Sequence, residues 1–232
     1  MAEPVWTPGQ AALRGNQQLS HKVASYIRES IMAGRFEAGQ FLRTETIAEQ
    51  MGVSHTPVRE ALMLLQSEGT LRWEPRRGFR VTSVTDQDVH DLFQVQAYIA
   101  GELAARAAQI LDKAAVRSLR QLQEQLARAA QSGDAAGVDA YNHEIHRRIN
   151  KASPSNRLGI LLNQTVQYVP LRFFGTIEGW ADASAHDHSA IFDAIEAGDA
   201  DAARAAMSAH IVHIGELLLK HLRMHRGASR PD

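Results

Sequence analysis

The sequence predicts a mostly α-helical chain, with an N-terminal winged helix-turn-helix followed by an all-helical antiparallel bundle. Three observations predict it. The run Gly52-Val53-Ser54-His55-Thr56-Pro57-Val58-Arg59-Glu60-Ala61-Leu62 reads as a tight turn entering a helix. Residues 73–81 read as two short strands around a basic tip, and from about residue 84 to 225 apolar residues recur at helical spacing.

Residues 1–16, with Pro4, Pro8, Gly9 and Gly15, read as a tail, as do residues 226–232. The head is expected over 17–83. Leu19, Val23, Ile27 and Ile31 repeat every four residues and make an amphipathic helix ending near Gly34. Ile47 to Met51 supply a short helix. Gly52 suits a turn that needs φ > 0, Ser54 suits the first free helix amides, and Pro57 is tolerated only in an opening turn. Leu62, Leu65 and Leu71 are apolar anchors, and Gly69 closes the second helix before a two-stranded wing from Trp73 to Val81.

The bundle is expected over 84–225, starting at a capping-box-like Thr85 and Asp88. Helices are read at roughly 86–110, 112–131, 135–151, 155–175, 183–197 and 199–225. Gly133, Ser153-Pro154-Ser155, Gly179 and Gly198-Asp199 punctuate them. Short turns between Ala- and Leu-rich helices imply antiparallel neighbours.

The formal net charge of −1 argues against sequence-blind coating of nucleic acid, yet Arg72, Arg76, Arg77 and Arg80 face only Glu74 in the wing. Local charge of this kind suits a reader of double-stranded operator DNA. Ser54, His55, Thr56 and Arg59 on the second helix, with Arg77 and Gly78 in the wing, are the candidate DNA-binding residues. There is no cysteine, so a metal site must use histidine and oxygen. No leader pattern and no apolar run near the ~20 residues of a membrane span is present, so a cytoplasmic protein without a membrane partner is expected.

Several of the 11 histidines fall on apolar stripes. His146 shares a face with Val138, Asn142, Ile145 and Ile149. His188 continues Ile191, Phe192 and Ile195, and His210 lies among Met207, Ile211, Ile214 and Leu218. For one such histidine a hydrogen bond to a carbonyl is the simpler reading. Three together favour a shared divalent ion, with Asn142 and His146, four apart, reaching it from one helix face. His186, beside His188, is a candidate for a supporting contact. His143, His213, His221 and His225 read as ordinary surface residues.

Residues 19–81 resemble the winged helix of GntR-type bacterial transcription regulators, through the VSRTPVREAL-like run Val53–Leu62 and the pair Arg77-Gly78. His55 replaces the usual Arg and cannot make the same bidentate fork to guanine. Residues 86–222 resemble the helical effector domain called FCD, of the FadR-like subfamily. The family's Asp or Asn and His four apart match Asn142 and His146, and its His before an I-x-x-A-I-x-x-G-D run matches His188. Its His 22 residues later matches His210. The resemblance implies a homodimeric regulator, expected to be a repressor, whose bundle binds zinc, nickel, manganese or iron.

Where relatives carry Arg and Glu on the first bundle helix, this chain has Gln96 and Ala100. A divalent ion among neutral ligands leaves positive charge in a low-dielectric cavity, which favours a small carboxylate effector. Gln96 and Arg172 are the candidate effector-binding residues. Two other readings stand beside this one. A metal-free, acyl-CoA-binding regulator of the same family is disfavoured by the inward histidines. A helical metalloenzyme with a DNA-binding head is disfavoured because His143-Glu144-Ile145-His146 lacks the HExxH spacing, so no catalytic residue is expected.

Overall fold

The computed structural model describes residues 16–32, 34–83, 85–166, 177 and 179–228. The chain divides into two compact units, Met1–Thr85 and Asp86–Asp232.

In the first unit, α1 (Asn16–Met32) buries Val23, Ala24 and Ile27, the middle of the stripe that the four-residue spacing marks. β1 (Phe41–Leu42) leads into α2 (Thr44–Met51), which stops at Gly52 in the left-handed conformation (φ 62°, ψ 37°). α3 (His55–Ser67) then packs Val58, Ala61, Leu62 and Leu65 into the same core. Ser54 occupies the N-cap position in extended backbone, but its side chain makes no capping bond; the turn rests on Gly52 and on Pro57, buried in the first turn of α3. β2 (Leu71–Glu74) and β3 (Gly78–Val81) form the wing, with Leu71 opposite Val81 and Trp73 opposite Phe79.

The sheet has three strands, in the order β1-β3-β2, and not the two read from sequence. Phe41 and Leu42 pair with Arg80 and Phe79. A two-residue strand has no period to detect, and its existence depends on a partner some forty residues away. Arg28 of α1 makes a bidentate pair with Glu68 at the end of α3, at 2.7 Å and 3.1 Å, with both side chains largely buried. The fork fixes α1 against the C-terminal end of the reading helix.

The second unit is helical among the described residues: α4 (Asp86–Ala108), α5 (Lys113–Gln131), α6 (Ala135–Ala152), α7 (Asn156–Val166), α8 (Trp180–Glu196) and α9 (Ala200–Ala228). Asp112 and Asp134 cap α5 and α6 by accepting from Ala115 N (2.8 Å) and Gly137 N (2.9 Å). α4 and α9 pack most extensively. Gly215 is needed there because a Cβ would lie 2.6 Å from the Phe93 ring, and Ser208 Oγ donates to Ala97 O at 2.9 Å.

Some boundaries differ from expectation. α9 continues three residues past 225, and α8 begins at Trp180, which is buried just after the left-handed Gly179. The expected helix over 155–175 is α7 as far as Val166; its remainder, like residues 1–15 and 229–232 of the expected tails, lies outside the described residues. No described helix is long and apolar enough to cross a membrane.

Candidate metal centre and nucleic-acid interface

On the first unit, Ser54, His55, Thr56 and Arg59 are all exposed along the opening turns of α3, a polar edge beside the buried Val58 and Leu62. Arg77 is exposed at the wing, with its guanidinium carbon 5.3 Å from the Phe41 ring centroid and a 3.9 Å ion pair to Glu74. Gly78 has φ 100°, and a Cβ there would sit 3.1 Å from Leu42 O, so this glycine lets β1 approach β3. Arg80 donates to Gly39 O (3.2 Å) and reaches Glu74 (3.4 Å). The wing's cations are therefore held in place by Phe41 and Glu74 while remaining open to solvent.

On the second unit, α6, α8 and α9 bring His146, His188 and His210 together. His188 is wholly buried, His210 nearly so, and His146 partly accessible. Their Nε2 atoms converge: His146 to His188 is 3.4 Å and His146 to His210 is 3.2 Å. One nitrogen of each lies within 4.8 Å of the others, so the three could together hold a metal ion.

Proton placement shows which lone pairs turn inward. His188 Nδ1 lies 2.6 Å from Gln123 Oε1, and His210 Nδ1 lies 3.2 Å from Asp187 Oδ2. Both partners accept, so both imidazoles carry their proton on Nδ1 and turn an Nε2 lone pair inward. His146 Nε2 faces both lone pairs and has at most one proton to share. A second proton is opposed by burial, which pushes His146 down to about 3 and His188 well below its ordinary value, and by the neighbouring imidazoles. Burial also lowers His210, against the pull of Asp187.

A divalent ion would accept all three lone pairs at once. Bonds of about 2.0–2.1 Å in tetrahedral geometry set ligand nitrogens roughly 3.3 Å apart, close to the separations observed. Asn142, one turn before His146 on α6, has a buried Oδ1 with no hydrogen-bond partner, as a fourth ligand oxygen would. The donor set fits a metal.

Sequence reasoning missed three supporting residues. Asp187 bridges His210 and His213, accepting from the latter at 2.8 Å. Burial alone would raise its pKa, but these two hydrogen bonds hold it below its ordinary value. Gln123 buttresses His188 from α5, and buried Ser184 places Oγ 3.4 Å from His188 Nε2. His186, a candidate for a supporting contact, is exposed; the Asp between the two histidines takes that place. His213, read as an ordinary surface residue, is tied to the site through Asp187.

Gln96 is buried, and its Nε2 donates to Thr165 O (3.1 Å); Arg172 lies outside the described residues. Glu144 is engaged by Arg147 (2.5 and 2.7 Å) and Arg148 (2.7 Å). These hydrogen bonds hold its carboxyl near 2. It is committed to surface ion pairs, so the one carboxylate of the His143–His146 segment is no general base for the centre.

Two family models match the chain: bacterial regulatory proteins of the gntR family over residues 19–81 and the FCD domain over residues 91–213. An uncharacterized HTH-type transcriptional regulator of Streptomyces ambofaciens is 31% identical over 80% of this chain and 78% of its own length. A probable D-xylose utilization operon transcriptional repressor of Paenarthrobacter nicotinovorans is 29% identical over 83% of this chain and 85% of its own. Among solved structures, E. coli McbR/YncC shares the fold with a TM-score of 0.64 at 23% identity, covering 91% of this chain and 99% of that one.

Proposed function

The chain belongs to the gntR family of bacterial regulatory proteins and carries their FCD domain; it is a DNA-binding transcriptional regulator and not an enzyme. On that premise we propose that it is a homodimeric cytoplasmic repressor that senses a small carboxylate through one divalent ion held by Asn142, His146, His188 and His210. The convergence of three imidazole Nε2 atoms in a largely buried pocket, with the unpartnered Asn142 Oδ1 on the same helix as His146, is the observation that carries this reading. The same cluster disfavours a metal-free, acyl-CoA-type site, which has no use for buried lone pairs facing one another.

The bound ion supplies a positive charge with coordination positions for an anionic oxygen. The protein's part is to orient the ligands. Asp187 and Gln123 hold two imidazoles in the metal-competent tautomer, and the largely buried surroundings weaken competition from water. Gln96, on the buried face of α4, and Arg172 are the residues proposed to assist the effector. Zinc, nickel, manganese and iron all suit imidazole and amide oxygen to different degrees.

On the head, Ser54, His55, Thr56 and Arg59 meet the major groove, while Arg77 and Gly78 bring the wing to the backbone. Half-site logic calls for two heads, hence the homodimer. An effector changes operator affinity only as far as it discriminates between arrangements of those heads, typically by ~1–3 kcal/mol. The experiment is elemental analysis of protein purified without chelator, followed by titration of organic acids with operator binding as readout, repeated for His146→Ala. Metal at one equivalent and an acid response lost in the variant support the reading. No metal, or a response that survives in His146→Ala, overturns it.

A further inference from the structure

Gln123 is asymmetric in a way that Asp187, which supports His210, is not. Its Oε1 accepts from His188 Nδ1 at 2.6 Å, whereas its Nε2 is buried with no hydrogen-bond partner. The amide cannot turn over to relieve this. A flipped Gln123 would point N–H at an imidazole N–H, or else force the proton onto His188 Nε2 and block the lone pair that faces the centre. The donor that remains is therefore dictated by the chemistry of the site. Leaving such a donor unmet carries its full desolvation cost, so an acceptor is expected in the functional state.

The position of Gln123 narrows what that acceptor is. Through His188, whose Nε2 lies 3.4 Å from that of His146, Gln123 is tied to the cluster that α6 supplies with His146 and, one turn earlier, Asn142. The other orphan there is Asn142 Oδ1, an acceptor, and it is not bonded to Gln123. Coordination satisfies Asn142, but a cation cannot satisfy an N–H. An N–H needs an acceptor oxygen, and a carboxylate bound at the ion supplies one. His210, by contrast, is supported by the Asp187 carboxylate, which has no donor to offer.

We propose that Gln123 is a specificity-determining residue that orients His188 through Oε1 and donates from Nε2 to an oxygen of a carboxylate bound at the metal. The proposal rests on the metal reading above. A neutral amide here also avoids a second supporting carboxylate, whose charge would repel an anionic ligand.

The test uses full-length protein loaded with cobalt(II), whose visible absorption reports both metal uptake and the arrival of acetate as a probe. Gln123→Glu keeps an acceptor for His188 but replaces the donor with an anionic oxygen. It should still take up cobalt, because His188 keeps an acceptor, while its acetate dissociation constant rises roughly tenfold or more from loss of the donor together with the added negative charge. Gln123→Met, neutral and close in size, should weaken both steps, and it serves if the acidic variant does not fold. An unchanged acetate affinity in the folded variants overturns the proposal, as does a parent spectrum that acetate never alters. If the parent takes up no cobalt, the metal reading itself has failed, a result distinguishable from either of these.

Discussion

Replacing His188 with alanine removes a wholly buried imidazole whose Nε2 lies 3.4 Å from that of His146 and whose Nδ1 is held by Gln123. Its ligand partners come from α6 and α9, so an ion bound by all three ties together helices distant in sequence, and its binding free energy adds to folding. At free metal about 1,000-fold above the dissociation constant this amounts to about 4 kcal/mol. For a chain of this size each kcal/mol shifts the melting temperature by about 2–4 °C, so chelation should lower the transition of the helical unit by about 8–16 °C. In His188→Ala the ion loses one of three imidazoles, and the response to chelator should largely vanish. Without metal the two proteins should melt closer together, because the substitution also removes one of the opposed lone pairs. Differential scanning calorimetry of both proteins, with and without chelator, measures all four values. An equal chelator shift in parent and variant would refute the reasoning, and so would a parent that melts identically in both conditions.

Acidification should destabilise the chelated protein: the folded-state pKa of His146 is depressed to about 3 from an ordinary 6.5, so the unfolded chain binds more protons between those values and stability falls as pH drops through that window. His188 and His210 act in the same direction; urea midpoints at pH 7.5 and pH 5.5, compared with His146→Ala, should show a smaller loss in the variant. Arg59→Ala should weaken binding to every DNA sequence and reduce the salt slope by about one counterion, whereas His55→Arg should change the ranking of operator variants, both read by fluorescence anisotropy over a salt series. Glu68→Ala leaves the Arg28 guanidinium buried without its partner and should cost the head about 3–5 kcal/mol by chemical denaturation. Gly215→Ala drives a Cβ to 2.6 Å from the Phe93 ring and should cost the bundle about 1–3 kcal/mol, visible as a lowered melting temperature.

Periodicity and turn chemistry are local properties, and they made most of the fold legible. The spacing of Val23 and Ile27, the turn at Gly52 and the stripe of Ile191 and Ile195 each state which face of an element is buried, and the structure buries them. The inward faces of His146, His188 and His210 followed from the same rule, since a polar residue on an apolar stripe is visible without coordinates.

What remained hidden depends on how elements meet. β1 exists only because Phe41 and Leu42 find β3, and Ser54 holds a cap position without making the cap bond. Which neighbour of His188 supports the site turns on helix rotation: one residue along α8 is about 100° around the axis, which leaves His186 exposed and carries Asp187 to His210. Gln123 lies on α5, in a helix that showed no histidine and no break in its pattern, and only the packing of α5 on α8 brings its amide to His188. Sequence determined which faces turn inward; tertiary packing decided which polar atoms meet there, because hydrogen bonds and metal ligation depend on ångström distances that residue spacing along one helix does not specify.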